Sequence, residues 1–445
     1  MKFEKESLPL LIKALEKMEQ GFSGLPDLES ELDQKAMLAV MLEVAGRLQD
    51  NFPYHHPCYA GQMLKPPHPI ARLAYMLAMW INPNNHALDG GRASSAMERE
   101  AVDGLAGLVG WKVHLGHLCS GGTMANLEAL WVAGKLNPAK KIVASSQAHY
   151  THQRISEVLQ LPFQSVPCDA RMKMDLPELE KMLKSGDIGT VVATIGTTAT
   201  GTLDPLPEIL KLKKKYNFNL HADAAYGGYF SLVENLRNDS RAIFDVLNQV
   251  DSLVIDPHKH GLQPYGAGCV LFRNPGVGVF YKHDSPYTYF SSAELHLGEI
   301  SLECSRPGAA AVALWATQRL LPLVKGGEFA VNLAKGREAA LKLFMFLKSD
   351  HRFLTLFEPE LDIVVWAPRA ATATEISERS RSCFQKAAKK NLHLALVNFP
   401  AQLLAAHWPD VQMNQGLVTC LRSCLMKPEH LSWLPQIWNT IKEVV

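Results

Sequence analysis

The sequence lacks a dominant charge: 45 Lys plus Arg stand against 44 Asp plus Glu, a formal net charge of +1. No global field therefore draws nucleic acid or acidic lipid. Its eight cysteines contain no CxxC pair, which suits free thiols in a reducing compartment. Cys420 and Cys424 fall on one face of an expected strand and read as core. No apolar run approaches the length of a membrane span, and the opening MKFEKESLPLLIKALEKM carries too many charges for a signal-peptide core. Internal repeats and low-complexity segments are also missing. His55, His56 and Cys58 have no second ligand pair at regular spacing, so no metal is expected. What is left is a cytoplasmic protein with no membrane span and no nucleic-acid partner.

What the sequence does have is length and an ordinary globular composition. Its 445 residues, 47% hydrophobic and 20% charged, predict two or more domains around a sizeable core. The chain is organised around Asp251 to Arg273, DSLVIDPHKHGLQPYGAGCVLFR. A strand-like run ends in Asp256-Pro257-His258-Lys259, and a Gly-rich turn leads into a second strand-like run from Cys269. A lysine in such a turn ordinarily points to solvent. Here its neighbours are apolar, Gly or Pro, where an amine is costly unless it has a partner or a task. A lysine held in this way can form an imine with a carbonyl.

Upstream, Ser120-Gly121-Gly122-Thr123 stands immediately before a good helix. Small residues let the backbone approach an anion, and the free N–H groups of the helix start bind it. The ordinary alternative is an N-cap turn. From there strand and helix signals alternate: Ile142 to Ser146, Thr190 to Ile195, Asn219 to Asp223 and Ser252 to Ile255 read as strands. This rhythm predicts a mostly parallel sheet flanked by helices, with ligands at the carboxyl ends of its strands. Gln147, His149, Thr197, Thr198, Asp223, His258 and Lys259 all gather at those ends. Two amphipathic helices are expected within residues 1–50, where they need a surface to lie on.

A phosphate seat, a buried carboxylate and an imine-forming lysine together describe pyridoxal phosphate. Lys259 carries it, Asp223 keeps its pyridine nitrogen protonated, and His149 stacks on one ring face while Ala225 leaves room on the other. Thr198 is placed to bond the phenolic oxygen, and Ser120 to Thr123 with His258 hold the phosphate. Singly, Asp223 reads as a cap or ion pair and His149 as a core histidine. Jointly the functional assignment prevails.

The sequence also resembles the group II pyridoxal-phosphate-dependent amino-acid decarboxylases of fold type I. The matching pieces are HPCYAGQM, SGGTMANL, SSQAHY, VVATIGTTATGTLD, HADAAYGG, DPHKHG, SRPG and TCLRSCLMKP, in the family's order from about residue 50 to 430. The residues after Lys259, HGLQPYGAG, are more similar to microbial tyrosine or aspartate decarboxylases and to sphingosine phosphate lyases than to the animal aromatic amino-acid decarboxylases. The resemblance implies a homodimer with its active site at the subunit interface, where Ser305 or the loop 281–299 completes the partner's site. It also implies that Arg422 lies near the active site, free to bind a substrate carboxylate.

The expected architecture is a helical segment with a substrate-lining loop (1–85), a large pyridoxal-phosphate-binding α/β domain (86–320) and a small C-terminal α+β domain (321–445). The expected reaction is α-decarboxylation of an L-amino acid, with Tyr287 as first choice and Tyr289 as second for the acid that protonates Cα. Tyr54, His55 and Tyr59 stand in the expected substrate wall, whose aromatic and His content favours an aromatic or imidazole side chain over an acidic one. Two alternatives are retro-aldol cleavage of a phosphorylated amino alcohol, as in sphingosine phosphate lyases, and a cofactor-binding protein without turnover. The complete set of Lys259, Asp223 and His149 argues against the last.

Overall fold

The structure, a computed structural model, describes residues 3–26, 32–282 and 295–445. Seven short strands form the larger sheet: β1 (Leu115–Cys119), β2 (Lys141–Ser145), β3 (Phe163–Val166), β4 (Ile188–Thr194), β5 (Asn219–Asp223), β6 (Ser252–Ile255) and β7 (Gly268–Phe272). Their order is β1-β7-β6-β5-β4-β2-β3, and pairing is parallel except where β7 runs against both β1 and β6. All residues of β4 and β6 are buried, as expected of strands covered by helices on both faces. Six of the seven strands therefore end on the same edge, which is where the chemistry-bearing residues expected from the sequence lie.

Local signals account for the helices between them. Asp175 caps the helix Leu176–Leu183 by accepting from Glu178 N at 3.0 Å. Asp204, at the entrance to Leu206–Tyr216, is not a cap. It is buried, accepts from Thr194 N and Met174 N at 2.7 and 2.8 Å, and is pushed up to about 6 by burial. Arg306 is equally buried, and its Nη1 meets Glu98 Oε1 at 2.8 Å and the Leu118 carbonyl at 2.6 Å. The SRPG motif thus ties the start of the helix Gly308–Leu320 to the edge strand β1.

A second, antiparallel sheet of β8 (Phe353–Thr355), β9 (Ile363–Pro368), β10 (Ala395–Pro400) and β11 (Leu417–Cys424) has the order β10-β11-β9-β8. The helices Glu328–Ser349, Ala373–Lys389 and His430–Val444 pack with it around Trp366, Leu421 and Ile437. Cys420 and Cys424 are buried in β11, and all eight cysteines are free. The N-terminal helices span Leu8–Glu19 and Gln34–Leu48, and every residue of the second is exposed. Among the described residues no helix is long and apolar enough to cross a membrane.

Candidate active site

The strand ends converge on a cavity of ≈ 330 Å3 lined by Ser120 to Thr123, His149, Thr198, Asp223, Ala225, His258 and Lys259. They come from the ends of five strands, β1, β2, β4, β5 and β6, so local sequence delivers the residues and the sheet topology collects them. Gly268, the first residue of β7, crosses Gly121 so closely that a Cβ on it would lie 2.4 Å from the Gly121 carbonyl carbon. Only glycine allows this backbone-on-backbone contact. It fixes the seat at the start of the helix Gly122–Leu136 against the strand that follows the Lys259 turn.

Lys259 Nζ lies 3.0 Å from Asp256 Oδ2, which is also 3.6 Å from His258 Nε2. The Asp256 carboxylate lies against Gly122, where a Cβ would come within 2.5 Å of it. Asp256 is thus a site residue that motif reading passed over, although its i, i+3 spacing to Lys259 was visible. Burial pushes the His258 imidazole below its usual range, with Asp256 opposing, and its Nδ1 is buried without a hydrogen-bond partner.

Asp223 accepts from the backbone N–H of Ala225 at 3.2 Å and pairs through Oδ2 with His152 Nε2 at 2.9 Å. Burial by itself would raise this carboxyl. The hydrogen bond and charge of His152, with Lys259 beyond, outweigh it and hold Asp223 well below the ordinary carboxylate range. His152 is the second residue missed in the sequence, one helical turn beyond His149. A further chain runs beneath: His221 bonds Ser252 Oγ and Asn126 Oδ1, both at 2.8 Å, and burial pushes its imidazole down to about 3. His149 is lowered by burial, against the pull of Asp223, and its Nδ1 accepts from Thr151 N at 3.3 Å.

The other expected residues fall elsewhere. Arg422, buried in β11, donates to the Thr198 carbonyl at 2.6 Å and to Gln62 Oε1 at 2.7 Å. It therefore joins the smaller sheet to the turn at the cavity wall and to the loop carrying Tyr59. Tyr54 and Tyr59 pack edge-to-face at 4.9 Å outside the lining of the Lys259 cavity, and His55 lines a different cavity. Ser305 is exposed and accepts from Asn84 Nδ2 at 3.3 Å. Tyr287 and Tyr289 lie outside the described residues.

One group among the described residues could offer three metal ligands: His117, Cys119 and Glu128. Their polar atoms are engaged with one another, His117 Nε2 with Glu128 at 2.9 Å and Cys119 Sγ with Glu128 at 3.6 Å. This network ties β1 to the helix behind the seat.

The cavity suits the cofactor read from the sequence. It holds a charged buried carboxylate, an amine, an orphaned imidazole nitrogen and a glycine cradle that a side chain would fill. The family model described as the pyridoxal-dependent decarboxylase conserved domain matches residues 53–368. The chain belongs to this family. It is a pyridoxal-phosphate-dependent carboxy-lyase acting on amino acids, and its seat, lysine turn and Asp223 all lie inside the matched region. An L-tyrosine decarboxylase of Enterococcus faecium is 27% identical, covering 80% of this chain and 76% of that protein. A probable L-tyrosine/L-aspartate decarboxylase of Methanothermobacter thermautotrophicus is 28% identical over 72% of this chain and 85% of its own. The crystal structure of Oryza sativa TDC with PLP and tryptamine superposes with a TM-score of 0.78 at 17% identity, covering 100% of this chain and 99% of that one. The last similarity bears on the fold, which is that of the fold type I enzymes.

Proposed function

We propose that this decarboxylase acts on an L-amino acid with an aromatic or imidazole side chain. The observation that carries the residue assignment is the placing of Lys259, Asp223 and His149 around one cavity beside a glycine-rich helix start. When bound, pyridoxal phosphate supplies a ring that accepts the electron pair left at Cα as carbon dioxide departs. Lys259 Nζ is the amine that anchors the cofactor, and Asp256 pairs with it at 3.0 Å. Asp223, kept charged by His152, holds a proton on the pyridine nitrogen. His149 would stack on one ring face, Ala225 would leave room on the other, and Thr198 would meet the phenolic oxygen. Ser120, Gly121, Gly122, Thr123 and His258 would hold the phosphate, and Tyr287 is the residue assigned to protonate Cα.

Arg422 is the group assigned to the substrate carboxylate; both of its Nη atoms already serve the Thr198 carbonyl and Gln62 Oε1, so it would reach that carboxylate by releasing one of them. The relatives named for tyrosine support an aromatic substrate. The functional unit is read as a cytoplasmic homodimer with Ser305 at the shared site. Met37, Leu38, Val40, Met41, Leu42 and Val44 leave an exposed apolar helix that a second subunit would cover.

Incubating the enzyme with each L-amino acid and measuring released carbon dioxide tests the reading, with the largest rate expected for an aromatic or imidazole substrate. Aldehyde release from a phosphorylated sphingoid base with no carbon dioxide from any amino acid would replace it with the lyase reaction. Borohydride reduction should fix the cofactor on Lys259, and labelling of any other lysine would overturn the central assignment.

A further inference from the structure

Behind the Lys259 turn lies a second cavity of ≈ 320 Å3, on the far side of His260 and Leu262. Its walls are largely apolar, with Pro66, Pro67, Leu321, Phe329, Leu333 and Met426 among them, yet two lysines from distant parts of the chain meet there. Lys427 is buried, and its Nζ donates to the Tyr59 carbonyl at 2.7 Å. The one hydrogen bond of Lys65 is a long one, 3.5 Å from Nζ to the Met426 carbonyl. Among the described residues neither amine has a carboxylate within ion-pairing distance, in contrast to Lys259. His260, fully buried at the same wall, makes no hydrogen bond at either ring nitrogen, although its Nε2 lies 3.4 Å from Asp362 Oδ2.

Glu4, Glu328 and Glu429 also line the cavity, but among the described residues none of them ion-pairs with either amine, and a desolvated ammonium with spare donors is costly. The cost is visible here: burial pushes Lys65 down to about 8 and, reinforced by the nearness of Lys65, Lys427 down to about 7. Burial also holds His260 well below its usual range, with Lys65 and Lys259 adding to the effect. A ligand with an acidic head would supply the missing partner, and the apolar walls would take a hydrocarbon or aromatic body.

We propose that this cavity is a second ligand site for a small organic anion, a carboxylate carried on an apolar body. It is separate from the decarboxylation site and does not depend on the residue roles assigned there. Its wall is nevertheless continuous with the reactive turn. His260 follows Lys259 directly, and Leu262 holds a left-handed φ of +63° while its carbonyl accepts from His68 N at 2.9 Å. Such a conformation is disfavoured for a residue with a side chain. Occupancy therefore bears on a strained segment that positions Lys259.

The test uses the cofactor-loaded enzyme and 3-phenylpropanoate, which has no amine to react at the cofactor, followed by titration calorimetry. Saturable binding at one per chain is expected, at least tenfold tighter than for 3-phenylpropan-1-ol, which lacks the charge, and for acetate, which lacks the body. Lys65→Met, whose lysine makes only one long hydrogen bond, should weaken binding at least tenfold while leaving the cofactor absorption band in place. Lys427→Met should do the same, and if it fails to fold, Lys65→Met decides alone. In steady-state assays the compound should inhibit without being displaced by saturating substrate. No saturable binding at millimolar concentration, equal binding to Lys65→Met, or purely competitive inhibition would each overturn the proposal.

Discussion

Asp223 and Asp362 are both buried carboxylates on the two sides of the segment that carries Lys259, and they are driven in opposite directions. Asp223 pairs with the His152 imidazole at 2.9 Å, with Lys259 and His221 adding to the pull, and is held below the ordinary range. Asp362 accepts from the Tyr226 hydroxyl at 2.6 Å, His260 Nε2 stands off at 3.4 Å, and burial pushes it up to about 6 despite Lys65. Depth does not separate them; the closeness and kind of the partners do. The protein thus keeps an anionic carboxylate in the Lys259 cavity and lets a carboxyl behind it take up a proton.

Removing the anion is the strongest way to break this contrast. Asp223→Asn keeps the shape and an acceptor but not the charge, and kcat should fall by about 10²–10⁴-fold, measured as carbon dioxide release from fully loaded enzyme. Full activity would remove Asp223 from its role. A subtler change is His152→Gln, which can still donate to Asp223 Oδ2 but carries no charge. Losing one charge-assisted contact of about 1.5–3 kcal/mol corresponds to roughly 10–100-fold in kcat. With His152 gone the Asp223 pKa should rise, so the acidic limb of the kcat–pH profile should move to higher pH. A profile that does not move would mean that His152 is only packing.

The smallest effect is expected at Asp362, and it concerns stability. The folded-state pKa of Asp362 is raised from 3.8 to about 6. Between these values the native state keeps a proton that the unfolded chain has released, so this group makes stability fall as pH rises through the window. Asp223 works with the opposite sign: it contributes stability above the ordinary carboxyl range that is lost as pH falls towards its lower folded value. Asp362→Asn retains an acceptor for Tyr226 and should flatten the stability curve between about pH 4 and 6 with little change in turnover. Urea unfolding at several pH values would show it, and an unchanged slope would remove Asp362 from the account.

The reactive edge was legible in the sequence because β2, β4 and β6 are mainly apolar runs rich in Val and Ile and, like β5, lead directly into polar residues. Strand β1 was not, since LGHLC contains a His that is buried only because Glu128, on a helix, bonds it. Strand β3 is an edge strand with Gln164 and Ser165 exposed, and β8 has only three residues, so neither gives a clear alternation. Lys259, Asp223 and His149 could be named from their strand-end positions. Asp256 and His152 act through other residues, a relation set by tertiary packing, and only their spacing to Lys259 and His149 hinted at it. Aromatic content pointed to Tyr54, His55 and Tyr59, but composition does not say which cavity a loop faces. His55 in fact faces the one with Lys65.

The contact between Gly268 and Gly121 has a consequence for how such an enzyme can diversify. The spacing between the lysine turn and the anion seat is set by backbone touching backbone, so no rotamer or side-chain exchange lies in that dimension. Substitutions in the loop 52–63 or in the smaller sheet can reshape what is admitted without shifting the reactive carbon relative to Lys259. Selection can then search for new substrates on a reference frame that holds its calibration.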